Sequence, residues 1–321
     1  MTIIRLQTMQ NDNLSLAVFG LVSSPKNWRQ FTHYAIRNRS VHPNDLHELL
    51  DALDSFLKEM PALSDDAPLK EWENIKNHGI SAFSIFQKEY PVRLIDILGS
   101  VAPPLLFYKG NLDILNTRSV GFCGSRKASE KGLETARDIA SQFSQSDINI
   151  VSGYASGVDF TTHLAALENN GTTTIVLPFG IEHFKIKREL ENVWDWSRVL
   201  VISEFLPSRP WTVFNAMKRN STICALSMAM ILIEARETGG SMEAGKKCLQ
   251  LGIPLFAPVY DGMHESASGN RILLDKGAHA IKKNRVSGKA NISRILDAVE
   301  NPGINSKINS KEDAKQVSLI I

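Results

Sequence analysis

Residues 148–163 read INIVSGYASGVDFTTH. An unbroken apolar run, Ile148–Ser152, stops at Gly153. Gly157 then precedes a stretch with helical spacing, so the segment reads as strand, glycine-bearing loop and helix. The same unit recurs on either side. Short runs at Ser119–Cys123, Thr173–Leu177, Val199–Ser203, Met230–Glu234 and Ile253–Ala257 alternate with helix-like segments at about 129–145, 156–169, 183–193, 215–227 and 241–251. Apolar runs that lack polar alternation, each followed by a helix, predict a parallel sheet covered on both faces. That arrangement is a doubly wound α/β domain.

The flanks differ. Before residue 75, Leu46, Leu49, Leu50, Leu53 and Leu57 recur at helical spacing behind the start signal Pro43-Asn44-Asp45, and the turn formers of 61–68 break the pattern. After about residue 284 the chain turns polar and repeats Ile-Asn-Ser-Lys, which reads as a flexible tail. The expected organisation is therefore a small helical N-terminal domain (1–75), a mainly parallel Rossmann-like sheet (76–284) and a polar tail (285–321).

Composition excludes several classes. The 321 residues are 43% hydrophobic and 22% charged, which argues against wholesale disorder and fibrous repeats. No apolar run approaches the roughly 18–20 residues that span a bilayer, and the N-terminus shows no cleavage pattern, so a mature cytoplasmic protein without membrane contact is expected. Lys+Arg 36 against Asp+Glu 34 gives +2, too balanced for attachment to nucleic acid by bulk charge. Cys123, Cys224 and Cys248 are odd in number, widely spaced and set in apolar contexts. They read as buried thiols, with neither a disulfide framework nor a metal site; a reactive thiol at Cys123 is the alternative.

In an open parallel sheet, ligands sit outside the carboxyl ends of the strands. The loops there are rich in glycine, hydroxyls and guanidinium: Gly124-Ser125-Arg126, Ser152-Gly153-Tyr154-Ala155-Ser156-Gly157, and Thr238-Gly239-Gly240-Ser241. Glycine lets backbone N–H groups approach an oxyanion, and a following helix adds its positive end. Ser156 with Asp159 also fits a capping box. With Lys218-Arg219 and Asn220 nearby, the rim is expected to bind phosphate groups. It lacks the third glycine of GxGxxG and any GxxxxGK[ST], so neither a dinucleotide fingerprint nor a P-loop is present and no cofactor is expected.

These residues resemble the DprA/Smf family of DNA-processing proteins. The resemblance begins at Gly79-Ile80 and Ala102-Pro103-Pro104-Leu105-Leu106-Phe107-Tyr108-Lys109-Gly110. It continues through Gly124-Ser125-Arg126, the 152–159 loop with His163, Phe214 to Asn220, Thr238-Gly239 and Gly269-Asn270, covering about 79–282. It implies a homodimeric Rossmann-like protein that binds single-stranded DNA, delivers it to a RecA-type recombinase, and is not an enzyme. It also implies DNA contacts at Arg126 and along Phe214, Lys218, Arg219 and Asn220. Three positions depart from the family pattern: Ser156 and Ser221 stand where arginines are usual, and Glu243 where a threonine is usual. Each makes the rim less cationic. The winged-helix domain common in the family is expected to be absent, since few residues follow 284 in this sequence.

Other residues invite two readings each. His163 reads as a satisfied buried imidazole against a catalytic base, Asp159 as a helix-start carboxylate against a ligand contact. Tyr154 and Phe214 could stack on bases or simply pack. Glu204 and Glu234 end strands at the rim, with no spacing that requires acid/base chemistry. The alternative function is a nucleotide-ligand sensor or hydrolase on the same fold, as in phage defence, favoured by Glu243. Against it, Glu237-Thr-Gly-Gly-Ser-Met-Glu243 lacks the second Gly-Thr pair of the PGGxGTxxE signature that cytokinin-activating phosphoribohydrolases carry.

Overall fold

The computed structural model describes residues 67–85, 87–260 and 265–301; the helices expected before residue 67 lie outside them. The chain divides into two compact units. The first comprises residues up to 109 with 179–184 and 202–211. It holds α1 (Ala67–Asn77), β1 (Ser81–Ser84), α2 (Val92–Leu98) and β2 (Leu105–Gly110), with β1 antiparallel to β2. The Tyr90 ring packs edge-on against Phe83 with centroids 6.0 Å apart, and its hydroxyl donates to the Pro103 carbonyl at 2.7 Å. That buried bond satisfies the one polar atom the ring brings inside.

The second unit (110–178, 185–201 and 212 onward) carries the expected α/β domain. Its strands are β3 (Ser119–Cys123), β4 (Asn149–Ser152), β5 (Thr173–Leu177), β6 (Val199–Ser203, of which 199–201 belong to this unit), β7 (Ala229–Leu232), β8 (Leu255–Pro258) and β9 (His279–Ile281). They alternate with α3 (Glu130–Ser144), α4 (Val158–Glu168), α5 (Val213–Leu226), α6 (Gly240–Gln250) and α7 (Ser268–Asp275). The order β5-β4-β3-β7-β8-β9 is parallel throughout, with β6 beside β5. The chain winds from β3 through β4 to β5, then returns to build β7, β8 and β9 on the other side. The switch point, where such sheets bind ligands, therefore lies between β3 and β7. Every residue of β3, β4, β5 and β7 is buried, which is why their sequences do not alternate. Val120, Phe122, Ile150 and Ile231 from the sheet meet Ile139 and Phe143 of α3 in one core.

Two expectations are corrected. Residues 183–193 do not form an α-helix; Ile181–His183 and Arg188–Val193 are 3-10 turns joined by extended backbone. The helical bonds are displaced by Tyr154, whose hydroxyl donates to the Lys185 carbonyl and accepts from the Lys187 N–H. Nor does the chain become a tail at 285. A turn at 282–290 leads into α8 (Ser293–Glu300), whose Ile295 and Val299 are buried in the core. Residues from 302 onward lie outside the described residues.

All three cysteines are free and buried. Burial pushes the Cys123 and Cys248 thiols well above the ordinary range, so Cys123 carries no thiolate for the reactive alternative to use. Among the described residues no helix is long and apolar enough to cross a membrane, and no cluster of His, Cys, Asp or Glu could hold a metal.

Candidate nucleic-acid interface

The loops after β4, β3 and β7 emerge side by side because those three strands are neighbours. The loop after β3 is stitched to both others. Ser125 N–H donates to the Glu234 carbonyl at 2.8 Å, and Val158 N–H donates to the Ser125 carbonyl at 3.4 Å. Gly157 has φ +78°, and a Cβ there would overlap the Ser125 carbonyl. Only glycine lets the two loops pass so closely. Gly157 is also the N-cap of α4, so the expected Ser156–Asp159 capping box does not form. Asp159 Oδ2 instead accepts from Ala155 N–H at 3.2 Å. The crossing leaves Arg126 and Ser156 exposed, with Ser125 half-buried between them.

Beneath this rim lies a buried polar layer. Arg219 is only 7% exposed, and its Nη1 donates to the Val176 carbonyl at 2.8 Å. Its charge faces Asp159. Burial raises the Asp159 carboxyl, while Arg219, the Ala155 N–H, the Ser152 hydroxyl and Lys187 oppose that rise. Gly153 is sandwiched against the pair: a Cβ there would overlap both the guanidinium and the carboxylate. Arg219 is therefore an internal strut, not the rim cation that the sequence suggests. Ser152 is likewise internal, its hydroxyl donating to the Phe122 carbonyl at 2.9 Å.

His163 is fully buried, with Nδ1 2.6 Å from Thr173 Oγ1 and Nε2 2.6 Å from the Gly153 carbonyl. A carbonyl can only accept, so Nε2 carries the proton donated to Gly153, and the single Thr173 hydroxyl hydrogen lies between His163 Nδ1 and the Ile150 carbonyl at 2.9 Å. Burial, with Lys187 and Arg219 nearby, pushes the imidazole down to about 4 against the opposing Gly153 bond. It is a satisfied core histidine, buried and hydrogen-bonded at both ring nitrogens. Glu234 also turns out structural: it is 1% exposed, and its carboxylate accepts from both the N–H and hydroxyl of Ser129, the N-cap of α3. Glu204 belongs to the first unit.

Lys187 escaped the sequence reading because it lies in the segment expected to be helical. Its Nζ stands 4.5 Å over the Tyr154 ring and 5.0 Å from that of Phe160, and donates to the Tyr154 carbonyl at 3.2 Å. Burial lowers its pKa, with Asp159 and Glu189 opposing. Tyr154, held at both ends of its hydroxyl and under this ammonium, is packed in place and does not stand out as a stacking platform.

Phe214 is different. The Thr212 cap, whose Oγ1 accepts from Asn215 N–H at 3.0 Å, starts α5 so that Asn215 and Arg219 point inward. Phe214 and Lys218, one turn apart, then share the outer face, with Phe214 75% exposed. Asn220 is half-buried. The third loop ends at Gly239, the φ +107° N-cap of α6, followed by exposed Gly240 and half-buried Ser241. A Cβ on Gly240 would meet nothing within 4 Å. No internal packing explains that glycine. Glu243, in the same first turn of α6, is paired with Lys246 at 2.7 Å.

The family model for DNA recombination-mediator protein A matches residues 81–289. DNA processing protein DprA of Streptococcus pneumoniae is 34% identical over 223 residues, spanning 68% of this chain and 75% of that protein. DprA of Bacillus subtilis is 28% identical over 208 residues, spanning 64% and 69%. The crystal structure of the Streptococcus pneumoniae protein superposes with a TM-score of 0.64 at 26% identity, over 85% of this chain and 94% of that one. The structure of DNA processing protein A from Helicobacter pylori does so at 0.55 and 22% identity, over 69% and 94%, a likeness of fold. A family model that runs from β1 to the turn at 282–290, together with a relative matched over three quarters of its length, makes this chain a member of the DprA/Smf DNA recombination-mediator family.

Proposed function

We propose that this protein binds single-stranded DNA in preference to duplex, with little sequence selectivity, and delivers it as a homodimer to a RecA-type recombinase. The observation that carries the proposal is the outer face of α5. A phenylalanine three-quarters exposed, one turn from a lysine, combines a stacking surface with a phosphate contact. Exposed Arg126 and the open backbone at Gly239-Gly240 supply further anion contacts on the same carboxyl edge. Backbone-tracking charge with aromatic stacking is tolerant of sequence. The Helicobacter pylori relative has a single-stranded DNA binding mode, which supports the same reading here. The chain is assigned no catalytic role.

The nucleotide-sensor alternative drew on Glu243, and the ion pair with Lys246 removes that support. The test is fluorescence anisotropy with oligo-dT and with duplex across a salt series, beside a thermal-shift screen of nucleotides. Preference for oligo-dT, with log affinity falling linearly against log salt, is the expected result. Equal affinity for duplex, or no binding at low salt, would sink the proposal. Light scattering at micromolar concentration tests the dimer, which a strict monomer would refute.

A further inference from the structure

The segment that reads as the start of a tail builds a second cationic feature. Lys282, Lys283, Arg285 and Lys289 fall within eight residues that contain no Asp or Glu. The segment closes into a tight turn: Lys283 bridges Ala290 in antiparallel register, Asn284 N–H donates to the Lys289 carbonyl at 2.7 Å, and Gly288 takes φ +69°. The turn is clamped to α3, because Ala290 N–H donates to Asp138 Oδ2 at 2.7 Å and the Ala290 carbonyl accepts from Gln142. Between this turn, α3 and the carboxyl ends of β8 and β9 lies a cavity of about 710 Å³. Lys131, Tyr260, Lys282, Lys283 and Lys289 line it, with Glu134 and Asp138 of α3 in the same wall. Lys131 Nζ stands 5.4 Å from the centre of the Tyr260 ring.

Four exposed cations are thus held together although like charges repel. Among the described residues no carboxylate forms an ion pair with Lys282, Lys283, Arg285 or Lys289. The Asp138 carboxylate in the wall is occupied by the Ala290 N–H and by the Gln142 amide. The cavity therefore sets four ammonium groups, Lys131, Lys282, Lys283 and Lys289, against the carboxylates of Glu134 and Asp138 around an aromatic face, a net cationic lining of the kind that nucleotides satisfy. Its size fits a nucleotide unit, since small-molecule sites run to roughly 300–1,000 Å³.

We propose that this cavity is a second contact for the same single-stranded DNA, holding the phosphodiester backbone on Lys282, Lys283 and Lys289 with Tyr260 against a base. The inference rests on the single-stranded DNA reading and extends it. Position favours a continuous strand as occupant. The loop bearing Arg126 and Lys127 runs directly into the first turn of α3, where Lys131 faces the cavity. β9 is three strands from β3 on the same sheet, about 14 Å at roughly 4.8 Å per strand. Single-strand sites on comparable grooves take about 4–16 nucleotides. A strand leaving Arg126 along α3 reaches the turn without changing sheet edge.

The test is the Lys282→Ala/Lys283→Ala/Lys289→Ala variant of the full chain, titrated with fluorescent dT6 and dT20 over a salt series. Three lost single-strand contacts at about 0.7 each should make the salt slope for dT20 shallower by roughly two units. Affinity for dT20 should fall about ten-fold at low salt, and that for dT6, held at the rim, should change little. Cross-linking with bromodeoxyuridine-substituted dT20 should label Tyr260 or the 282–290 peptide. If the variant binds dT20 as the wild type does while Arg126→Ala weakens it, the inference falls and the rim reading stands. If wild-type protein binds neither oligomer, both fall. If dTMP or inorganic phosphate stabilises the protein through these lysines while dT20 binding ignores them, the cavity is a small-anion site and the inference is overturned.

Discussion

Arg126 stands in solvent and Arg219 is enclosed with Asp159, so the two guanidiniums should respond differently to truncation. Arg126→Ala truncates an exposed side chain on the rim. Its melting temperature should stay within about 2 °C of wild type, in line with surface substitutions. Its affinity for oligo-dT should fall several-fold, with a salt slope shallower by about 0.7. Arg219→Ala takes from a buried carboxylate the stronger of its two counter-charges, leaving only Lys187, and should cost about 3 kcal/mol in urea unfolding. His163 adds a pH signature. Its imidazole is held down at about 4 in the native state, whereas in the unfolded chain it titrates near 6.5. Between those values the unfolded state binds the extra proton, so stability is intact above about pH 6.5 and declines as pH falls towards 4. The limiting loss is about 3 kcal/mol at 1.4 kcal/mol per unit, and His163→Gln should flatten that stretch of the pH–stability curve.

At the scale of elements, the rim glycines separate into two kinds. Gly157 sits where backbone meets backbone at positive φ, and Gly157→Ala should destabilise by at least about 1–3 kcal/mol. Gly240 opens onto empty space in the first turn of α6. Gly240→Ala should leave stability unchanged or raise it by up to about 1 kcal/mol, yet weaken oligo-dT binding by crowding the approach to the backbone. Melting curves and anisotropy on the same two variants check both statements. The sequence shows glycines at both places and cannot sort them, because the distinction depends on which loop crosses which. The same limit explains α5. Phe214 and Arg219 are adjacent in motif, yet the helical turn sends one outward and one inward. Residues 183–193 look helical by spacing, but a tyrosine thirty residues earlier in the chain claims their backbone groups. The strands were legible because burial on both faces leaves a continuous apolar run that no other element imitates at that length.

For the whole molecule, α8 is the part that composition hides. Ser293-Arg-Ile-Leu-Asp-Ala-Val-Glu300 is half polar, and only Ile295 and Val299 mark it as a piece of the core. Ile295, 1% exposed, packs in one cluster with Ile231 and Phe256, so Ile295→Ala should cost about 2–5 kcal/mol by thermal or urea unfolding. The loss should appear in the global transition, since the helix seals the same core that the sheet shares. The seal also fixes the basic turn at 282–290 between two anchored elements, β9 and α8.

The three enclosed sulfurs give the protein an internal stopwatch. Cys123 lies in a central strand, and Cys224 and Cys248 lie in two different helices. A water-soluble thiol reagent can reach each only after its own surroundings have opened, so the rate of modification at each position measures how often that region breathes. A nucleotide strand that fastens the rim should slow the clock in β3 and α5 together. The clock at Cys248, in the helix behind Gly240, would then show how far that fastening spreads.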